Sequence, residues 1–219
     1  MALKLETPII YLITSGETTP AARPSSAEFT RLLKLIEAAV TSQTQLVQLR
    51  EKNLRARTLY ELTARAASIT RGSDTRLLVN DRADIALAAG ADGVHLTTRS
   101  LEAHIIRRTF PENFLIGVST HSLEETQAAY EGGANFAVFG PVFETPSKLS
   151  YGPPVGLAKL SEASQALPSF PLIALGGITR DNAREALRAG ARGIAAIRLL
   201  NDPNSLDETV RAIRYSFRE

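Results

Sequence analysis

Apolar residues along this chain fall into eight short runs, and after each run they recur at helical spacing. The first, Ile9-Ile10-Tyr11-Leu12-Ile13, is closed in by Pro8 and the Thr14-Ser15-Gly16 turn and predicts a buried strand. A polar loop from Gly16 to Ser26 follows. Phe29, Leu32, Leu33, Leu35, Ile36 and Val40 then mark one face of a helix from about Ala27. Leu46 to Arg50 predicts a second strand, Arg55 to Thr70 a helix, and Leu77 to Val79 a third strand. The same rhythm gives a helix over Ile85 to Ala89, a strand over Gly93 to Leu96, a helix over Leu101 to Thr109 and a strand over Leu115 to Ser119. Ser122-Leu-Glu-Glu125 has the spacing of a capping box and starts a helix that runs to Tyr130. Phe136 to Phe139 is the sixth strand, Leu172 to Leu175 the seventh and Gly193 to Ile197 the eighth, with helices over Gly156 to Ala166, Arg180 to Ala189 and Ser205 to Phe217.

Eight strand-helix units in 219 residues allow about 27 residues each. Strands alternating with helices predict a parallel sheet, and eight units near the lower size limit favour a closed (β/α)8 TIM barrel over an open doubly wound sheet. An internal echo supports the repeat: Ala89-Gly-Ala-Asp-Gly-Val94, Gly132-Gly-Ala-Asn-Phe-Ala137 and Ala189-Gly-Ala-Arg-Gly-Ile194 rewrite one helix-to-strand corner. No linker or low-complexity stretch divides the chain, so residues 1–219 are expected to form a single α/β barrel domain.

Composition narrows the classes. Apolar residues make up 44% and charged residues 22%, as in ordinary globular proteins. The pI is about 9.0, yet the net charge is only +2 and the basic residues are scattered, so nucleic acid is not indicated. There is no Cys, which removes disulfides, thiolate metal sites and a Cys nucleophile. The charged N-terminus, Met1 to Glu6, leads into a strand-length run, so neither a signal peptide nor a membrane span is expected and a cytoplasmic protein is. A homo-oligomer stays open.

In a barrel of this kind chemistry gathers at the C-terminal strand ends. Those ends carry Gln48, Arg50 and Lys52; Asn80 and Asp81; His95; Ser119 and His121; Thr145, Ser147 and Lys148; Gly176 and Gly177; Ile197 and Arg198. Solvated loop charges would give part of this pattern. Arg50, Lys52 and Lys148 also suit convergence on one highly charged anion, with Asn80 donating and Asp81 holding Mg²⁺ against its oxygens. The loop from Gly140 to Pro154 adds hydroxyls and the Lys148 cation. Gly176-Gly177-Ile178-Thr179 is expected to open a helix, whose backbone N–H groups suit a second anion. His121 is placed either as a general base or acid or as a loop-orienting group, and His95 is expected to be buried and hydrogen-bonded.

Gln48-Leu-Arg50-Glu51-Lys52, Val79-Asn80-Asp81-Arg-Ala-Asp, Asp92-Gly93-Val94-His95-Leu96, Gly117-Val118-Ser119-Thr120-His121-Ser122, Gly140-Pro-Val-Phe-Glu-Thr145-Pro-Ser147-Lys148 and Gly176-Gly177-Ile178 resemble, in order, the motifs of the thiamine phosphate synthase/TenI family. The resemblance implies a (β/α)8 fold and an enzyme joining a hydroxymethylpyrimidine diphosphate to a thiazole phosphate. The pyrimidine would depart as a carbocation-like species, with cations and Mg²⁺ stabilising the leaving diphosphate. Carried across, Arg50, Lys52, Asn80 and Lys148 would hold that diphosphate and Asp81 the metal. Gln48 and Ser119 would meet the pyrimidine, and Thr145, Ser147 and Gly177 the thiazole phosphate.

Two positions depart from the family pattern. Ser100 stands where the synthases carry a second metal-binding Asp, which weakens the Mg²⁺ site. Arg198 follows Ile197 where a Ser is usual, and there a backbone N–H survives the change. Ser100 and the His121 segment look TenI-like, so a thiazole tautomerase using His121 as base is the alternative reading, followed by a non-catalytic regulator that binds thiazole or thiamine phosphates. The retained Arg50, Lys52, Asp81 and Lys148 favour the synthase.

Overall fold

In the computed structural model, which describes residues 7–145 and 153–218, eight parallel strands pair in chain order and the first closes onto the last. They are β1 (Ile9–Ile13), β2 (Leu46–Leu49), β3 (Arg76–Asn80), β4 (Gly93–Leu96), β5 (Leu115–Thr120), β6 (Phe136–Phe139), β7 (Leu172–Leu175) and β8 (Gly193–Ala196). The helices are α1 (Ala27–Thr41), α2 (Ala56–Thr70), α3 (Ala83–Ala89), α4 (Ala103–Thr109), α5 (Leu123–Glu131), α6 (Gly156–Ala166), α7 (Ala183–Arg188) and α8 (Leu206–Arg218). The expected (β/α)8 barrel is the observed one.

Two apolar layers hold it. Inside the barrel, Ile9, Tyr11, Leu46, Leu78, Leu115, Phe136 and Ile173 pack on one another, while the alternate strand residues meet the helices outside. Each fully buried Leu, Ile or Phe contributes about 1.5–3 kcal/mol to that packing. Helix α1 shows how the outer layer forms: Ser26 caps it by accepting from the Phe29 N–H at 3.3 Å, and Phe29, Leu32, Leu35, Ile36 and Ala39 are its buried stripe.

The repeated corner does a definite job. Gly90, Gly133 and Gly190 hold the same place in the three echoes, and their φ values are +76°, +79° and +103°, a left-handed turn that ends each helix. Two residues on, Asp92 accepts from the Leu77 N–H at 2.8 Å and Asn135 from the Ile116 N–H at 2.8 Å. Gln45 does the same for Ile10 at 3.0 Å. A polar side chain entering β2, β4 and β6 thus satisfies the start of the strand before it.

Three local expectations change. Helix α7 begins at Ala183 rather than Arg180, because Thr179 and Asn182 bond each other's side chains and N–H groups at 2.8 and 3.2 Å and postpone the helix. β8 ends at Ala196, and an unanticipated 3-10 turn over Arg198–Leu200 follows. At α5 the Ser122 half of the capping box forms, but Glu125 accepts from the His121 N–H instead of the Ser122 N–H.

Candidate active site

The register carries the polar strand-end residues to one mouth. Gln48 lies beside Ile13 and Leu78, and Asn80 beside His95. Above β2–β4 a cleft of about 310 Å³ opens, lined by Lys52, Asn80, Asp81, Thr97 and Arg99. The Lys52 ammonium is held below its usual range, first by partial burial and then by the Arg50 cation, with Arg99 adding to the effect and Asp81 opposing it. Neither Arg50 nor Lys52 forms a salt bridge among the described residues. Their charge is therefore open to an anion.

Asp81 is exposed and adopts φ +62°, one of two non-glycine residues in the left-handed region among the described residues, with its N–H given to the His95 carbonyl at 2.9 Å. Such strain persists where the surroundings impose it and is concentrated at functional sites. Ser100 is committed elsewhere: its Oγ accepts from the Thr97 N–H at 2.7 Å and lies 3.1 Å from Thr97 Oγ1. Glu51, 2% exposed, binds the β1–α1 loop through Thr14 Oγ1 at 2.5 Å, Thr18 Oγ1 at 2.7 Å and the Gly16 and Thr18 N–H groups. Thr14 Oγ1 in turn accepts from the Arg50 N–H at 2.9 Å, and Gly16 leaves room for the Arg50 guanidinium.

Deeper in the mouth, Gln48 is 1% exposed and its Nε2 has no hydrogen-bond partner among the described residues. A buried amide donor left unpaired is costly, and an acceptor placed there would relieve that cost. His95 is buried and hydrogen-bonded, as expected, between Tyr11 and Ser119. Burial lowers its pKa to about 3 and pushes the Tyr11 phenol well above its usual range, so both are neutral.

The opposite wall, above β6–β8, is made of backbone. The chain leaving β6 runs along β7, with the Val142 N–H on Leu175 O at 2.8 Å and the Phe143 N–H on Gly176 O at 3.0 Å. Gly176 and Gly177 have φ +100° and +65°, and a Cβ on Gly177 would meet Glu144 O at 2.4 Å. These glycines do not open a helix, since α7 starts later and is short, so the expected helix N-terminus is not part of the wall. Arg198 reaches across from the end of β8 to donate to Thr145 Oγ1 at 3.2 Å. Ile197, at the foot of that turn, offers its carbonyl to Asn201, which also ties Ile13 O at 2.7 Å. His121 is half-buried, and its Nδ1 is bonded to the Gly140 carbonyl.

Lys52, Asn80 and Asp81 therefore share one cleft with Arg50 beside it, and Thr145 and Arg198 meet directly. Ser147 and Lys148 lie outside the described residues. Arg99 and Tyr11 joined the site without being singled out in the sequence. Arg99 is one cation in a polar turn, and Tyr11 sits inside an apolar run.

The family model described as thiamine monophosphate synthase matches residues 10–200. A putative thiamine-phosphate synthase of Geobacter sulfurreducens is 47% identical over 174 residues, covering 79% of this chain and 81% of its own. A thiamine-phosphate synthase of Roseiflexus castenholzii is 38% identical over 189 residues, covering 86% and 79%. Among solved structures, thiamine phosphate pyrophosphorylase from Pyrococcus furiosus superposes with a TM-score of 0.76 at 30% identity, over 96% of this chain and 95% of that one.

Proposed function

The chain belongs to the thiamine monophosphate synthase family, and on that premise we propose that it joins a hydroxymethylpyrimidine diphosphate to a thiazole phosphate and releases diphosphate. The observation that carries the reading is the cationic cleft at the ends of β2–β4, where Lys52, Asn80 and Arg99 face one space with Arg50 beside it. In the reaction the bond between the pyrimidine methylene carbon and the diphosphate oxygen breaks, and its electron pair leaves with the diphosphate. The thiazole nitrogen then gives its lone pair to that carbon. Charge grows on the leaving group in the transition state, so fixed cations there lower the barrier more than they tighten substrate binding.

Arg50, Lys52, Asn80 and Lys148 hold the diphosphate in this reading, and Gln48 and Ser119 meet the pyrimidine. Thr145, Ser147, Gly176, Gly177, Ile197 and Arg198 take the thiazole phosphate. The donors fit Mg²⁺ only in a particular way. No group of three or more His, Cys, Asp or Glu among the described residues is placed to hold a metal ion, Glu51 is spent on its loop and Ser100 on its turn. Asp81 alone suits an ion that keeps several waters and takes its other ligands from substrate phosphates. When bound, Mg²⁺ supplies positive charge to the departing diphosphate. The partners are small phosphorylated molecules and the place of action is the cytoplasm. No helix among the described residues is long and apolar enough to cross a membrane.

One observation favours a second reading. The bond to the Gly140 carbonyl puts a proton on His121 Nδ1, so that in the neutral ring Nε2 is the accepting nitrogen, the arrangement a thiazole tautomerase needs in its base. Purified protein given both substrates and Mg²⁺ should release diphosphate and form thiamine phosphate, detected by mass spectrometry. Absence of that product at high enzyme and high Mg²⁺, with aromatisation of a thiazole carboxylate phosphate that His121→Ala abolishes, transfers the assignment to the tautomerase. Binding of the phosphates with neither turnover leaves a regulator.

A further inference from the structure

A buried polar chain crosses the interior of the barrel. Tyr11 on β1 places its phenol oxygen 3.3 Å from Nδ1 of His95 on β4, and His95 Nε2 lies 2.9 Å from Oγ of Ser119 on β5. Tyr11 is 0% and His95 2% exposed. The ring of Phe136 stands edge-on to Tyr11 at 5.6 Å, which fixes the phenol in place. Ser119, at the upper end, is partly exposed.

Counting protons settles the direction of the chain. The imidazole has two polar contacts, neither of them a carboxylate, so it carries one proton. On Nδ1, that proton would point at the phenol oxygen. The phenol's own proton would then lie among Ile9, Leu46, Leu115 and Phe136 with no other acceptor among the described residues. On Nε2, every proton has a partner: the Tyr11 O–H goes to Nδ1, and Nε2–H goes to Ser119 Oγ. The Ser119 hydroxyl, accepting from the ring, then keeps its own proton free to donate, since none of it is spent on His95.

We propose that Tyr11 and His95 are positioning residues that fix the Ser119 hydroxyl as a hydrogen-bond donor toward the substrate. Gln48 Nε2, a buried amide nitrogen without a partner among the described residues, is likewise a donor. Two donors at the interior mouth select the lone pairs of a neutral heteroaromatic ring and disfavour a ring N–H in the same place. The inference rests on the reading of Ser119 as a substrate-facing group, and it makes His95 a relay of orientation rather than of protons.

The experiment has two arms. In ¹⁵N-histidine-labelled wild-type protein, NMR should show His95 protonated at Nε2 and bare at Nδ1, with assignment by a His95→Gln control. A proton on Nδ1 would overturn the proposal, and this arm stands whether or not the protein is a synthase. In the kinetic arm, Tyr11→Phe should lower kcat/KM about tenfold and shift the ring proton partly to Nδ1, since Phe no longer demands an acceptor. Added to Ser119→Ala, the same change should cost nothing further, because Tyr11 acts only through Ser119. Additive losses would sink the proposal, and a wild type without synthase activity would sink the functional reading alone.

Discussion

The two walls of the barrel mouth are built from different materials. Above β2–β4 the cleft presents long charged side chains, Lys52 and Arg99, which form no salt bridge among the described residues. Above β6–β8 the wall is backbone laid along backbone, held by the Val142 and Phe143 N–H groups and made possible by Gly176 and Gly177. One wall offers charge, which is adjustable and screened by salt; the other offers shape, which tolerates no added atom. The division suits the two proposed substrates, whose diphosphate carries more charge than the monophosphate. It also means that the walls should fail in different ways.

The largest effect is expected on the charged wall. Lys52→Ala should lower kcat/KM for diphosphate release about 10²–10³-fold, because it removes a cation aimed at the growing leaving-group charge. Thermal unfolding followed by circular dichroism should not move, since Lys52 is exposed and unbridged. A falling melting temperature would mean the cation is structural. On the other wall, Gly177→Ala should cost stability, about 1–3 kcal/mol from left-handed strain with the Glu144 carbonyl in the way. Its KM for the thiazole phosphate should rise more than its KM for the pyrimidine diphosphate. An unfolding midpoint and both KM values equal to wild type would erase the contrast between the walls.

A smaller effect concerns pH. The Lys52 ammonium is the binding form, and partial burial together with Arg50 lowers its pKa. As pH rises it therefore discharges earlier than an ordinary lysine, at about 10.4. kcat/KM for the diphosphate substrate should fall on the alkaline side before that value, and Lys52→Arg should carry the fall to higher pH. An alkaline limb indifferent to Lys52→Arg assigns it to another group.

How far the site was legible depends on how each residue advertises itself. β1, β4, β6 and β7 fall on the predicted runs, since strands buried on both faces read as unbroken apolar blocks between Gly, Pro and polar turns. Arg50, Lys52, Asn80 and Asp81 were legible because a charge directly after such a block has little place to go but the rim. Tyr11 was not, because within an apolar run its hydroxyl counts for nothing until the fold sets His95 opposite. The glycines were half legible: their need was visible, but the reason is the approach of the strand-six loop, not a helix N-terminus. Arg99 depends on how one four-residue turn folds, which no periodicity encodes.

The smallest expected change sharpens the charged wall most. Ser100→Asp keeps an oxygen that can accept from the Thr97 N–H, so the turn should survive. The new carboxylate stands beside Thr97, which lines the cleft with Asp81. If Mg²⁺ works there, a second anionic ligand should lower the Mg²⁺ concentration needed for half activity several-fold, with kcat little altered. The same carboxylate also adds negative charge beside a cleft lined by Lys52 and Arg99, and without metal it should weaken diphosphate binding by partly cancelling their charge. The two consequences have opposite signs and are read separately, one from the Mg²⁺ dependence of the rate and one from calorimetric titration of diphosphate into metal-free protein. Weaker metal-free binding with an unchanged Mg²⁺ dependence would show the carboxylate pairing with cations alone, and the diphosphate wall would then work by side-chain charge without the ion.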